Sequence, residues 1–413
     1  MTATPTTSPQ DEAVHAPAEP YGKLFLRFLR FGALAWGGPV AQIDMVRQEL
    51  VTQEKWISPG HFKRLLAIYQ VLPGPEAHEL CVHFGMLARG RWGGVLAGLG
   101  FMLPGFILMF LLSWLYLRFN LTATAFQAVF LGIQPAVIAL IVRAVHRIGG
   151  HCLLNTPLWV IGILAAVGEL LRVSFWITLP LAGVAYVVAA QRRRWIAVAV
   201  AFVFAVSVWQ FSPVIAQDEP IFRRSAAAEE HAAETREMGS ASTLRMFGSG
   251  LRAGLLTFGG AYTAIPFLKD DAVERGQWMT ERDFLDGVAL SGILPAPLII
   301  FSTFVGYFGG GAMGALAMTA GVFLPAFLFS LVFHRHLEVV ISNPLLHNFL
   351  EGVTAAVVGL IAVTAVILGL EAIGSIGALA IFLAALPVVY RWRSKLAVPM
   401  IVVAAGVAGA LLF

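Results

Sequence analysis

The residues best suited to chemistry lie together in residues 72–80, which read LPGPEAHEL. This segment holds Glu76, His78 and Glu79, and His83 follows one helical turn later. Carboxylates and an imidazole that can alternate charge near neutral pH have the chemistry of a proton carrier. Ionisable groups are costly to bury in a bilayer and mark proton or ion paths there. For Glu76 an alternative is a structural role, because an acid in the first turn after a proline favours the start of a helix.

The same segment must interrupt a membrane helix. Pro75 has no N–H to donate and restricts the conformation of Gly74, so unpaired carbonyls and free amides flank it. In lipid, such groups need partners from protein or from a water-filled cavity. The pattern of Pro73, Gly74 and Pro75 recurs 222 positions later, where Pro295 and Pro297 flank an alanine.

A second kind of helix break is also duplicated. Gly37, Gly38 and Pro39 interrupt an apolar run, and Gly259 and Gly260 occupy the corresponding places in the second half. Glycine lets the backbone approach a ligand closely, and the free amides of a restarting helix attract anions. We therefore predict that the glycine and proline breaks bind an anionic substrate near the middle of the membrane.

Arg30 and its counterpart Arg252 are predicted to join this binding site. Their planar, forked donors suit oxyanions. A topological role is the alternative for Arg30, because arginine also marks the cytoplasmic edge of a membrane helix. We favour binding because Arg252 would lie on the opposite membrane face in an inverted arrangement, where the positive-inside rule requires no arginine.

Composition places these elements in a membrane. Hydrophobic residues make up 58% of the chain, charged residues only 13%, and the mean hydropathy is +0.79, whereas a soluble domain is about a quarter charged. The predicted class is an all-α polytopic membrane protein with proline-broken helices. No metal-ligand spacing, nucleotide-binding loop or nucleophile triad is present, so we expect no metal, no cofactor and no ATP hydrolysis. The basic residues cluster at helix ends, which favours topology over nucleic-acid binding.

The chain contains an internal duplication. Residues 29–75 align with residues 251–297 without a gap and are identical at 14 of 47 positions. Beyond one deletion the offset becomes 221, and glycines and prolines continue to match. Internal duplication is typical of secondary transporters. We predict a disordered tail at residues 1–22, a first membrane repeat with a connecting helix at 23–215, a polar linker at 216–244 and a second repeat at 245–413.

The relative orientation of the repeats follows from counting crossings. If each proline-broken segment crosses the membrane, the first half has seven crossings and the second six, about 12 to 13 in all, and the odd number inverts the second repeat. With the N-terminus inside, 17 of the 28 basic residues fall on the inner side, as the positive-inside rule expects. The alternative is a pair of re-entrant hairpins. That alternative places the cluster at residues 192–194 opposite Arg89 and Arg91 and weakens the charge asymmetry.

The motifs as a set resemble a known family. Residues 31–51, FGALAWGGPVAQIDMVRQELV, and residues 72–105, LPGPEAHELCVHFGMLARGRWGGVLAGLGFMLPG, are similar to chromate transporters in their long form with two homologous domains. The second half departs at Ala261, which replaces Pro39, and at Ala296, which replaces the central glycine. The resemblance implies a multi-pass carrier of the bacterial inner membrane that exports chromate, is driven by the proton motive force and gives chromate resistance.

Other functions stay open at this point. Sulfate or another tetrahedral oxyanion is an alternative substrate, and a membrane-embedded enzyme acting on an anionic substrate is an alternative class. An enzyme would gather acids or histidines around a metal or nucleophile, whereas the duplicated residues here are glycines, prolines and arginines. The expected partners are an oxyanion and the lipid bilayer, with a homo-oligomer possible and nucleic acid excluded.

Overall fold

A computed structural model describes residues 15–119, 126–191, 241–332, 343–392, 394 and 396–413. Most of the predicted tail and linker, the arginines at 192–194 and the predicted helix at 196–215 lie outside these residues. The described part of the chain is helical throughout and confirms the all-α class. Its α-helices are α1 (Tyr21–Ala33), α2 (Gly38–Val46), α3 (Pro59–Val71), α4 (Glu76–Arg118), α5 (Gln127–Cys152), α6 (Thr156–Leu170), α7 (Phe175–Ala190), α8 (Thr243–Leu255), α9 (Ile265–Lys269), α10 (Glu281–Ile293), α11 (Phe301–Val332), α12 (Pro344–Ala372), α13 (Ile376–Arg391) and α14 (Ala397–Leu412).

Four of the described helical stretches are long and apolar enough to cross a membrane. They comprise α4, α5, α12, and α11 with the 3₁₀ turn Leu298–Ile300 that precedes it. Four shorter helices, α6, α7, α13 and α14, are also apolar. The chain is therefore a multi-pass membrane protein, as its composition predicts. The number of 12 to 13 crossings stays a prediction.

The duplication in the sequence is also visible in the backbone. A π-helical turn follows the broken helix in each half, at Arg47–Gln53 and at Asp270–Arg275. Both long helices α4 and α11 contain a sharp reversal at equivalent glycines. Gly90 has φ 62° and ψ −159°, and Gly311 has φ 60° and ψ −149°. Only glycine adopts this region freely, so the same turn is built at the same place twice.

Each reversal folds its long helix into a tight hairpin. A Cβ on Gly85 would lie 2.4 Å from the carbonyl oxygen of Gly93, and a Cβ on Gly306 would lie 2.5 Å from that of Gly314. The two arms of each hairpin therefore touch through backbone. Small residues at a helix contact allow this close approach in membranes.

The two arms of each proline-broken segment lie side by side, as in the re-entrant alternative, and their path through the membrane stays a prediction. Phe62 of α3 stacks on Phe84 of α4 with ring centroids 6.4 Å apart, and the Tyr69 hydroxyl lies 3.0 Å from His83 Nδ1. The two arms therefore run antiparallel, with the Pro-Gly-Pro segment at the tip. Each arm has 13 residues up to the next break and extends about 20 Å, which is shorter than the apolar core of about 30 Å.

The second half contains the equivalent hairpin between α10 and the start of α11. Phe284 contacts Phe301 with centroids 5.6 Å apart, and a Cβ on Gly287 would lie 2.5 Å from the Phe304 ring. The two hairpins, with their tips at residues 72–76 and 294–298, are called here the first tip and the second tip. Each tip lies against the glycine break of the other half.

The two halves pack through equivalent helices. Helix α4 packs on α11, and α5 packs on α12. In the first pair Gly94 approaches Leu331 and Gly98 approaches Phe327, so the two helices run antiparallel. Helix α5 also packs on α14, and its counterpart α12 packs on α7. The larger core is therefore shared between the halves, whereas a smaller core of residues between 24 and 101 belongs to the first half.

Candidate anion site between the two halves

A cavity of about 450 Å³ lies between the first glycine break, α5, the second tip and the connection from α13 to α14. Sequence reasoning placed Gly37, Gly38 and Pro39 in the site, and all three line this cavity. Pro295 and Pro297 flank Ala296 at the second tip, and Ala296 also lines it. The lining includes Gly37, Gly38, Pro39, Arg143, Arg147, Tyr262 and Ala296.

The start of α2 faces this cavity. Gly37 adopts φ 91°, which ends the preceding segment and sets the direction of the new helix, and Pro39 is favoured at its first turn because no N–H is needed there. The amides of the first turn have no partner within the helix. Together with the helix dipole they present about half a positive charge.

Two arginines of α5 add full positive charges to the same cavity. Arg143 and Arg147 lie one helical turn apart, are half-buried and form no hydrogen bond or ion pair among the described residues. The acid that lines the cavity, Asp44, is paired with Arg47 at 2.7 Å and does not neutralise them. Arg143 and Arg147 are among the 17 basic residues that the sequence analysis counts on the inner side, and it gives them no other role. Their spacing within a long apolar helix was the signal that could have placed them in a site.

Glu76 lies near one of the two cavity arginines, Arg147. It is the first residue of α4 after the first tip, is buried, and its Oε1 would lie 3.8 Å from a Cβ on Gly260. Arg147 interacts electrostatically with both Glu76 and Tyr262. The glycine break of the second half and the acid of the first tip therefore meet behind the cavity. This contact combines two residues that sequence reasoning assigned to different roles.

His78 and Glu79 do not face the cavity arginines. The His78 ring packs against Phe323 and Phe327, with centroids 4.9 Å and 4.7 Å away. Glu79 is fully buried beneath Gly74, and neither carboxylate oxygen accepts a hydrogen bond from any described residue. The predicted proton-coupling group is thus divided among three environments.

The two tips make different contacts. Pro73 forms an isolated antiparallel bridge with Phe258, and the Gly74 N–H donates to the Thr257 carbonyl at 2.8 Å. Pro75 follows and leads into α4. Gly259 comes directly after this bridge and has φ 76°. The second tip is instead held by the side chain of Gln42, which donates to the Ala296 carbonyl at 3.1 Å.

The family profile described as "Chromate transporter" matches residues 22–217 and 244–410. The chain belongs to the chromate transporter family. The resemblance seen in the Gly-Gly-Pro and Pro-Gly-Pro motifs is therefore confirmed. Membership makes this chain a transporter and removes the alternative of a membrane-embedded enzyme.

Curated relatives match over nearly the whole chain. A chromate transport protein of Pseudomonas aeruginosa is 56% identical and covers 98% of this chain and 96% of its own length. A probable chromate transport protein of Synechococcus elongatus is 30% identical and covers 97% and 98%. A chromate transport protein of Cupriavidus metallidurans is 29% identical and covers 98% and 96%. No solved structure is significantly similar to the chain.

In this chromate transporter family member, Arg30 and Arg252 make equivalent ion pairs. Arg30 binds Glu49, and Arg252 binds Asp271 and also Asp270, the latter at 3.2 Å. Glu49 and Asp271 are 222 positions apart, as are the two arginines. Neither arginine lines the cavity. Their assignment to anion binding stays a prediction, and the contacts observed here join the first helix of each half to its π-helical turn.

A buried polar network in the second half was missed by sequence reasoning. Asp286 of α10 accepts hydrogen bonds from the Tyr116 hydroxyl at 2.7 Å and from Gln134 Nε2 at 2.8 Å. Tyr116 also contacts Asp283 at 3.1 Å. The network draws on three separate helices, so sequence spacing gives no signal for it. The network joins α4, α5 and α10 on the side of α5 away from its arginine end.

Proposed function

We propose that this member of the family carries chromate and binds it in the cavity between Arg143, Arg147 and the start of α2. The proposal rests on one observation: two guanidinium groups without a hydrogen bond or ion pair in the described part of the chain converge with a helix N-terminus on one cavity. Two positive charges match a tetrahedral dianion, and planar guanidinium groups hold oxyanions through paired donors. The names of the relatives support chromate as the dianion.

The proposed arrangement of the repeats is inverted. Helices α4 and α11 are equivalent in the two repeats and pack antiparallel. This packing supports a two-fold relation in which the two repeats have opposite orientations in the membrane. Arg391 lies at the same end of the molecule as the cavity arginines, because its neighbour Tyr390 contacts His146 at 2.9 Å. The positive-inside rule then places this end in the cytoplasm. The cavity in this orientation opens inward, as an exporter of the inner membrane requires to collect chromate.

Energy coupling is proposed to use Glu76 and Glu79. Glu79 has no hydrogen-bond donor among the described residues, and an ionised carboxylate buried without a donor is strongly unfavourable. We infer that Glu79 carries a proton in this state. Glu76 interacts electrostatically with both Glu79 and Arg147, so release of a proton from the two acids changes the charge that the anion meets. This link between proton release and the charge at the anion site supports an exchange of chromate against protons. Export by such an exchange gives resistance to chromate.

Binding of chromate to purified protein tests the site. Each charge-assisted contact is worth about 1.5 to 3 kcal/mol, so Arg143→Ala and Arg147→Ala should each raise the Kd for chromate by about tenfold to a hundredfold. Arg91→Ala, at an exposed position outside the cavity, serves as the matched control and should leave the Kd unchanged. Unchanged affinity in both cavity variants would remove this cavity from the mechanism. Competition with sulfate in the same assay decides between the two tetrahedral dianions.

Transport in everted vesicles tests the coupling. Glu79→Gln keeps the shape of the neutral acid but cannot exchange a proton. We expect it to bind chromate with near-normal affinity and to lose uptake that an imposed pH gradient drives. A variant that loses binding and thermal stability together would indicate a structural role for Glu79 instead.

A further inference from the structure

The two contacts between a tip and a glycine break are repeat equivalents, yet they differ. In one contact the Gly74 N–H of the first tip donates to the Thr257 carbonyl at 2.8 Å, and Pro73 bridges Phe258. This direct backbone pairing holds the first tip against the second glycine break. No cavity residue comes from the first tip.

At the other contact the corresponding backbone bond is absent among the described residues. Positions 35 and 296 correspond to positions 257 and 74 by the offset of 222. The Ala296 N–H instead bonds to the Leu294 carbonyl within its own tip, at 2.9 Å. The second tip therefore stands apart from the first break, and the cavity lies where the two would meet.

The side chain of Gln42 occupies the space between these two backbone segments. Its Nε2 donates to the Ala35 carbonyl at 2.9 Å and to the Ala296 carbonyl at 3.1 Å. The side chain is only 1% exposed, and its Oε1 has no hydrogen-bond partner among the described residues. The corresponding residue in the second half is Ala264, which has no amide to insert. A bridging amide is thus present only where the cavity is open.

We propose that Gln42 is a positioning residue that holds the cavity open. During transport the two tip contacts exchange their forms, so that the contact now paired opens and the contact now open pairs. In the exchanged state the Ala296 N–H donates to the Ala35 carbonyl and Pro295 bridges Trp36. The contact between Pro73 and Phe258 then opens on the opposite face. This inference rests on the proposed carrier function with inverted repeats.

The two states make the same number of direct pairings, because each state pairs one tip with its glycine break and leaves the other contact open. The Ala35 and Ala296 carbonyls that Gln42 now bridges already lie within reach of one amide group. Closing the second tip requires only that this amide leave and that the Ala296 N–H turn from Leu294 to Ala35. A ligand that binds the open cavity shifts the balance toward the state described here.

Cysteine cross-linking in membranes tests the exchange without any chromate. One variant carries Pro73→Cys with Phe258→Cys, and the other carries Trp36→Cys with Pro295→Cys, both in a background of Cys81→Ala and Cys152→Ala. Bridged residues on antiparallel strands lie close enough for a disulfide. We expect both pairs to cross-link under mild oxidation. Cross-linking of the first pair alone, at comparable expression, would show a fixed asymmetry and overturn the exchange.

The role of Gln42 is tested by the accessibility of a cavity thiol. Val398 lines the cavity and is half-buried, so Val398→Cys reports its opening through reaction with a negatively charged thiol reagent. Gln42→Ala should slow the reaction at least threefold, because no amide group then keeps the second tip apart from the first glycine break. Gln42→Met, which keeps the length but has no donor, should behave like Gln42→Ala. A normal rate in both variants would overturn the positioning role.

These outcomes are independent of the anion site. If Arg143→Ala and Arg147→Ala leave chromate binding unchanged while both cysteine pairs cross-link, the cavity is not the binding site but the exchange stands. If binding falls as proposed and the Trp36 and Pro295 pair never cross-links, the site stands and the exchange fails.

Discussion

Helices α5 and α12 occupy equivalent places in the two halves, and they present different chemistry to the space between the halves. Their ends match at an offset of 220, where Asn155 and Ser375 cap the following helices with nearly the same backbone angles. At that offset Arg143 and Arg147 correspond to Val363 and Ile367. The duplicated fold therefore supplies the frame, and the two arginines that we propose bind the anion are confined to one copy.

The frame itself is equal in both halves. Gly32 of α1 lies against the Phe101 backbone of α4, and Gly254 of α8 lies against the Val322 backbone of α11. The ion pairs of Arg30 and Arg252 repeat in the same way. The differences that bear on the proposed site lie at the tips and on α5. Three measurements can separate the shared frame from the specialised parts.

The largest effect is expected at the glycine contacts of the frame. A Cβ on Gly32 would lie 2.2 Å from the Phe101 oxygen, and a Cβ on Gly254 would lie 2.4 Å from the Val322 oxygen. Overpacking of this kind costs about 1 to 3 kcal/mol and more where backbone must move. Gly32→Ala and Gly254→Ala should therefore both lower the melting temperature and the folded yield strongly. The yield is measured by size-exclusion chromatography in detergent.

Gly248→Ala is the control for this comparison, because it lies on the same helix as Gly254 with no atom within 4 Å of the added Cβ. It should be neutral or slightly stabilising. If Gly32→Ala were severe and Gly254→Ala harmless, the frame would not be equal in the two halves, and the comparison would fail.

An intermediate effect is expected at the arginines. The Arg252 side chain is 13% exposed and holds two carboxylates, whereas that of Arg30 is 55% exposed. Removing one partner of a buried pair leaves the other charge uncompensated, which costs about 3 kcal/mol, while an exposed pair contributes about 1 kcal/mol or less. Arg252→Ala should thus lower the melting temperature more than Arg30→Ala. A large loss of chromate affinity without loss of stability in either variant would restore the arginines to the binding site.

The smallest effect is expected in the pH dependence of stability, and it should come from Glu54, in the first half alone. Partial burial disfavours the charge on Glu54, but hydrogen bonds from Arg27 at 2.6 Å and Trp56 at 2.8 Å outweigh it and hold the pKa of Glu54 below its usual 4.5. A carboxyl whose pKa is lower in the folded protein than in the unfolded protein stabilises the fold at any pH above the unfolded-state pKa. This stabilisation is lost as the pH falls through the folded-state pKa.

Glu54→Gln should consequently lower the melting temperature slightly above pH 4.5, and the difference from the unchanged protein should shrink below it. The counterpart of Glu54 is Gly276, so no such contribution exists there. A difference that grew on acidification would show that Glu54 is not held as an anion.

Much of the frame was predictable from sequence because it depends on residues that restrict the backbone locally. Glycine and proline act on their own φ and ψ, so the breaks at Gly37 and at Pro75 could be located without knowing what surrounds them. The duplication at offsets of 222 and 221 and the apolar composition were equally readable. These local rules fixed the membrane class, the pairs of breaks and the family.

The tertiary structure alone decided how these breaks are used. Whether α3 and α4 continue or fold back depends on contacts such as Phe62 with Phe84, which no local pattern specifies. Charge counting treats Arg147 as any inner-side arginine, because it considers the end of a helix and not what faces it. Only packing brings Arg147 beside a cavity whose other wall comes from the second tip, and only packing places Gln42 against Ala296, 254 residues away in the sequence.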